Sequence, residues 1–586
     1  MNLKGINLYL RLWGHIPKKS KINLLLVLSL SIIVALVEIA FVGSVVPLLS
    51  VLTTSEPLNK SDLFRLIHKF SGFETSSSAP LVFTIIFVFL VALANSMRLL
   101  LLWTQSRFCQ LIGVEISTKM YKLSLCQPYH VHLGRNSSQV IATISTKSNT
   151  VVFHVILAGL KIISCCVIVF AVFLSLVFVN LLLTMLAFLG MSLFYLVVIF
   201  LTRQLLGKYS EQISLGQDKG IKILQEGLSL IKNVLIENKQ NIYSRMYREN
   251  DSVVRLAQAD TEVIASSPRY ILEASGMISI AFLGYMISNR QGTISTYLPV
   301  MGVVALAAQR LLPLVQQIFN SLSKIQSAHS SLEDVLNLLD QPLSEFFEKQ
   351  INTPMTFDRE IKIENVHFSY PNSEKKILYN IDLTIKRGSR VGIIGKSGSG
   401  KSTLLNLIMG LLEPTTGIIK VDGQRISQNN IQSWQENISH VSQNIHLSDS
   451  SIAENIAFGI ERENIELEQV KLAAQKAQVS DYIERTPKKY DTIIGENGFQ
   501  ISGGERQRLS IARSLYKRSN VFFWDEATSS LDKINENLVI GGLDSLEMDV
   551  TIIMIAHKLS TLQNCDLIIE ISEGSIIRKG KYQDFV

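Results

Sequence analysis

Long apolar runs in the first 320 residues restrict this chain more than any other feature. A helix that crosses a bilayer needs about 20 mostly apolar residues. Runs of that kind lie at about 23–50, 80–104, 151–179, 181–202, 270–288 and 294–318. Hydrophobic residues make up 47% of the 586 and charged residues only 18%, against a usual share of roughly 25%. That excess sits in residues 1–330, whereas 360–586 reads as an ordinary α/β protein. The chain is therefore expected to join an all-α, six-helix membrane domain (1–342) to an α/β phosphate-loop domain (359–586) through a polar linker (343–358).

An even number of crossings returns the chain to its starting side. The basic "RLWGHIPKKSK" before the first run places that side in the cytoplasm. The net charge of +7 fits basic inner loops, and its scatter along the chain speaks against a nucleic-acid partner. The first run is too long for a cleavable signal peptide. The inner segments, about 105–150 and 203–269, keep apolar residues at helical spacing among charges, so the membrane helices are expected to run on into the cytoplasm. Outside the membrane, "SDLFRLIHKF" places Leu63, Ile67 and Phe70 on one face; it reads either as a short amphipathic helix on the outer surface or as an ordinary loop helix. The five cysteines have neither metal-ligand nor disulfide spacing and are expected to be free thiols.

In the second domain, "VGIIGKSGSGKSTLLNLIMG" is a strand, a glycine-rich loop and a helix. The stretch Gly395, Lys396, Ser397, Gly398, Ser399, Gly400, Lys401, Ser402 and Thr403 lets backbone N–H groups and a helix N-terminus face a polyphosphate. Lys401 is expected on the β- and γ-phosphates, and Ser402 on Mg²⁺. About 120 residues later, "VFFWDEATSSLD" reads as a buried strand that delivers Asp525 to the metal and Glu526 as the base that activates water. The bland alternative is a pair of carboxylates on a solvated strand end. In "ISGGERQRLSIARSL", Ser502, Gly503, Gly504 and Glu505 open a basic helix and offer a second anion site. A second phosphate-binding turn makes sense if it completes the site of another copy.

That segment is similar to the signature motif of ATP-binding cassette (ABC) proteins, with Ile501 in place of the usual leucine and Glu505 in place of glutamine. The other family elements follow in order. The resemblance implies adenine stacking by Tyr370, metal and water coupling by Gln443, a turn running from Ser529 to Asp532 with Ser530 replacing alanine, and a γ-phosphate switch at His557. "TIIGENG", with Glu496, resembles the exporter segment that touches the cytoplasmic helices. Six helices followed by one cassette look like an ABC exporter half-transporter. This implies ATP and Mg²⁺ as cofactors, a homodimer with two composite sites, and an ATPase coupled to transport.

Three arginines stand in or beside the apolar runs: Arg98, Arg269 and Arg310. At 1.5 Å per residue, Arg98 lies about 27 Å and Arg310 about 24 Å from the outer ends of their helices, in the cytoplasmic half of the membrane. Each has a structural reading. Arg98 and Arg269 can snorkel to the inner interface, and Arg310 can pair with Glu38 or Glu273. The functional reading is a cationic belt for an anionic cargo, since guanidinium takes phosphate through paired hydrogen bonds. Here "EIAFVGSVVPLL", "SSPRYILEASG", "AAQRLLPLVQQ" and "AHSSLEDVLNLL" resemble the bacterial lipid-linked oligosaccharide flippase of N-glycosylation (PglK type). The resemblance implies a lipid-pyrophosphate cargo, a bacterial inner (plasma) membrane location, and a cytoplasmic N-terminus and cassette. Alternatives are export of another lipid, a drug or a peptide, or a nucleotide-gated channel or regulator on the same scaffold.

Overall fold

The computed structural model describes residues 3–53, 79–177, 181–288, 294–342, 354–371, 375–495, 498, 501–525, 550–556 and 558–586. They form two compact units: Met1–Cys126 with Arg135–Leu343, and Gln127–Gly134 with Ser344–Val586.

The first unit is helical. It contains α1 (Leu3–His15), α2 (Lys18–Thr53), α3 (Ala79–Leu125), α5 (Ser137–Val177), α6 (Leu181–Ser229), α7 (Ile231–Ile236), α8 (Gln240–Ser288), α9 (Ile294–Ser327) and α10 (His329–Leu339); the short α4 (Tyr129–Leu133) belongs to the second unit. Among the described residues, four helices are long and apolar enough to cross a membrane, within α2, α3, α5 and α6. The fifth and sixth expected runs lie on α8 and α9, where side chains at 294–308 fall outside the described residues. The "SDLFRLIHKF" segment also falls outside them. Large apolar side chains face outward, including Leu26, Phe89, Leu189 and Phe200, the last 80% exposed. A water-soluble protein would hide such a surface; lipid tails cover it without cost.

α3 and α6 run on as helix past their apolar stretches, to Leu125 and Ser229. Two π-helical turns interrupt α5, at Thr143–Lys147 and Val152–Leu157. Each inserts an extra residue per turn, which re-aims the side chains that follow. The buried Gln316 ties three helices together. Its Nε2 donates to the Ala265 carbonyl at 2.7 Å, and its Oε1 accepts from the Tyr195 hydroxyl at 2.9 Å. Ala265 lies next to the residue whose carbonyl loses its helical donor to Pro268.

The second unit has two sheets. Strands β1 (Glu360–Ser369), β2 (Lys376–Lys386), β4 (Thr416–Val421) and β5 (Gln424–Arg425) form an antiparallel sheet in the order β2-β1-β4-β5. The larger sheet runs β10-β9-β3-β8-β7-β6, built from β3 (Arg390–Ile394), β6 (Ile438–Val441), β7 (Val521–Asp525), β8 (Thr551–Ile555), β9 (Leu567–Ser572) and β10 (Ser575–Gly580). Its pairings are parallel except β9–β10. β7 is buried on both faces. Val521 and Phe523 pack into one core, Phe522 and Trp524 into the other, which is why its sequence is a continuous apolar run.

Candidate functional site

Sheet register assembles the nucleotide residues. Ile393, Ile555 and Asp525 are level across β3, β8 and β7, and Val441 is level with Trp524 on β6. The loop 395–400, Asp525 and Gln443 therefore emerge from one edge, the carboxyl ends of parallel strands, where open α/β sheets bind ligands.

The loop has the backbone of an anion cradle. Gly395, Gly398 and Gly400 all take positive φ, at +148°, +79° and +104°. A side chain on Gly395 would put Cβ 2.2 Å from the Ile571 carbonyl oxygen, so only glycine fits. Gly400 then opens α11 (Lys401–Ile408). Lys401 is 6% exposed, and its Nζ donates to the carbonyls of Gly395 at 2.9 Å and Lys396 at 3.0 Å, which folds it over its own loop. Ser399 Oγ is buried without a hydrogen-bond partner among the described residues, an orphan that a phosphate oxygen would satisfy. Lys396, Ser397 and Gly398 are exposed at the rim, as is Ser402 on the first turn of α11. This donor set fits a Mg²⁺–triphosphate: Ser402 and Asp525 are hard oxygen ligands. Tyr370 stacks edge-on against Phe368, and its hydroxyl lies 3.3 Å from Thr403 Oγ1, a packing role beside the loop.

Ser502 caps α12 (Gly503–Tyr516). Its hydroxyl accepts from the Glu505 N–H at 3.3 Å, while Glu505 Oε2 accepts from the Ser502 N–H at 2.9 Å and the Ser502 hydroxyl at 2.6 Å. Glu505 thus completes a capping box that glutamine would form less strongly, and Ile501 is buried in the core. Residues 502–505 make no hydrogen bond to loop 395–400 among the described residues. Glu496, Glu526, Ser529, Ser530, Asp532 and His557 lie outside the described residues.

The three membrane-unit arginines have separate settings. Arg98 Nε lies 2.6 Å from Glu38 Oε1, and Glu38 is fully buried. Arg269 pairs with Glu273 one turn away at 3.5 Å. Arg310 makes no ion pair among the described residues; its guanidinium lies 4.4 Å over the Phe41 ring. Both carboxylates offered as alternative partners for Arg310 pair with the other two arginines, and Arg310 makes a cation–π contact instead. Snorkelling gives way to ion pairs at Arg98 and Arg269.

Sequence reasoning missed a cavity of about 540 Å³ between α5, α8 and α9. Lys161, Arg269, Lys324 and His154 line it with Gln316, Gln317 and Asn320, and no carboxylate lines it among the described residues. The second π turn of α5 supplies Phe153, His154 and Leu157 to its wall. Of its cations the sequence reading singled out Arg269 and passed over Lys161, which stands alone within an apolar run.

Known proteins fall in line with this geometry. Residues 378–529 match the ABC transporter family model, and the fold is that of an ABC exporter. A bacterial Atm1-family ABC exporter with ATP bound superposes with a TM-score of 0.75 at 21% identity, over 99% of this chain and 96% of that one. In sequence, the chain is 32% identical over 355 residues to the ATP-dependent lipid A-core flippase of Salmonella paratyphi A (61% of this chain, 60% of that protein). It is 31% identical over 355 residues to the flippase of Escherichia coli K12 (61% and 60%), and 38% identical over 231 residues to that of Aliivibrio fischeri (39% and 40%). The chain thus spans only 40% to 60% of the length of these curated relatives.

Proposed function

We propose that this chain is half of an ATP-driven exporter that flips an anionic glycolipid across a bacterial inner membrane. Two copies sandwich two Mg²⁺–ATP molecules, each between one copy's loop 395–403 and the other's Ser502–Gly504. Glu526 serves as base, Asp525, Ser402 and Gln443 attend the metal, with Gln443 coupling metal and water, and His557 senses the γ-phosphate. Mg²⁺ supplies charge neutralisation on the phosphates. The N-terminus and the cassette lie in the cytoplasm.

The observation that carries the cargo reading is the cavity. Lys161, Arg269, Lys324 and His154 line it; Arg269 and Lys324 keep Glu273 and Glu262 as partners at 3.5 and 3.8 Å, whereas Lys161 has no ion pair among the described residues, and a cation left over in a membrane favours an anion that completes it. A lipid-linked oligosaccharide, whose pyrophosphate suits guanidinium, fits best. The sequence similarity to lipid A-core flippases favours a second reading, a lipid A-type glycolipid with its own phosphates.

Lipid extracted from the purified chain and identified by mass spectrometry separates the two. A polyprenyl pyrophosphate glycan supports the first reading and a lipid A-type species the second. In proteoliposomes, Arg269→Ala is expected to abolish flipping while ATP turnover stays measurable; unchanged flipping removes the cationic site from the mechanism.

A further inference from the structure

Glu38 holds Arg98 in an unusual way. It is fully buried in α2, with Arg98 of α3 as its ion-pair partner at 2.6 Å. The approach is close enough for an ion pair but not aligned as a hydrogen bond. Neither Glu38 oxygen has an aligned donor among the described residues, and Arg98 Nη2 is likewise buried without a partner. A guanidinium fully engaged by a carboxylate offers two parallel N–H groups; here it is met mainly at Nε. One turn along α2, Phe41 carries the second guanidinium, Arg310, which lies within electrostatic range of both Glu38 and Arg98. One poorly satisfied acid thus holds one guanidinium and stands in the field of a second, and half-satisfied buried networks are the least stable kind. The packing around them is well made. About two turns inward on the same helices, Ser31 and Gln105 both reach Ser164, at 2.7 Å each. The poor geometry is therefore local to the acid and its arginine.

We propose that Glu38 is a displaceable counter-ion: it neutralises Arg98 between transport cycles and yields the guanidinium to the phosphate of an arriving lipid. This rests on reading Arg98 as a cargo residue. A phosphate brings more acceptor oxygens than Glu38 delivers, and it can span Arg98 and Arg310 together. When it departs, Glu38 takes Arg98 back, and the half-buried cation is never left bare. Nothing covalent changes.

The test uses the full-length chain in phosphatidylcholine nanodiscs, with farnesyl pyrophosphate as probe and farnesol as its neutral control. Ligand-induced shifts in unfolding temperature give the affinity. Glu38→Gln is expected to bind farnesyl pyrophosphate several-fold more tightly than the unaltered chain. Farnesol should be unaffected, and adding Arg98→Gln should cancel the gain. Glu38→Asp, which withdraws the acid by one methylene, should gain less and guards against misfolding of the glutamine variant. Pyrophosphate binding by the unaltered chain that neither Glu38 variant strengthens overturns the counter-ion role and leaves the cargo reading standing. Absence of pyrophosphate binding in every form overturns both.

Discussion

Lys401 rests on two carbonyls of its own loop, so it is already placed where phosphate oxygens would replace them. Lys401→Met should lower ATP turnover about a hundredfold or more, by analogy with removal of one stabilising donor; a steady-state phosphate-release assay reads it. Glu526→Gln should bind ATP normally yet hydrolyse it very slowly, and near-normal turnover would remove Glu526 as the base. Single residues were legible to different depths. The glycines of the loop announce their conformation, because few other residues tolerate those φ values. Arg310 was legible as a cation within an apolar run but not by partner. Sequence spacing says which side chains share a helix face. It does not say that Arg98 on a neighbouring helix reaches Glu38 first and leaves Arg310 to the ring of Phe41.

Among the elements, the inner part of α5 depends on a buried cation. Lys147 is fully buried at the end of the first π turn; its Nζ contacts Asp218 of α6 at 2.7 Å and Asp334 of α10 at 2.6 Å, and Ser214 donates to Asp334 at 2.8 Å. Lys147→Met leaves two carboxylates facing each other without their cation. Loss of one partner of a buried pair costs about 3–5 kcal/mol, so a lower unfolding temperature is expected, and adding Asp334→Asn should recover part of it. In the cassette, Asp422 sits at φ +48° in the turn between β4 and β5 and accepts from the backbone N–H groups of Asp358, Arg359 and Glu360. Burial raises its pKa, but those three donors outweigh burial and hold it below the usual carboxylate value. Its contribution is therefore full above the unfolded carboxylate pKa and fades as pH falls through the lower folded value. Asp422→Asn should lower the unfolding temperature at pH 7, and that deficit should shrink on acidification below about pH 4. The hairpin was open to anticipation from Asp-Gly. The π turns were not, because an inserted residue leaves apolar spacing nearly unchanged over so short a stretch.

At the scale of the whole molecule, the proposal predicts that one cassette cannot work alone. A chain with Gly503→Asp keeps its own phosphate loop. Mixed with Lys401→Met chains, it should form heterodimers in which one composite site is intact and the other disabled, so that turnover partly recovers; alone, its turnover should collapse. Equal turnover in both preparations would place each site within one copy. The two-unit plan was visible in the composition shift near residue 340, because a bilayer and water impose opposite demands on side chains. The cavity lined by Lys161, Arg269 and Lys324 was not. Its cations come from three helices far apart in sequence, with nothing local to mark their convergence.

The N-terminal helix offers an experimental handle. Arg11 and His15 both bind the Asp340 carboxylate, and His15 Nδ1 also contacts Lys119 Nζ at 3.2 Å. Leu8 and Leu12 on the inner face of α1 are buried, while Leu10 on the opposite side is 64% exposed. A fluorophore on Leu10→Cys is thus mechanically fastened to the residue just before the membrane unit ends. Its polarisation would follow that junction in real time during turnover.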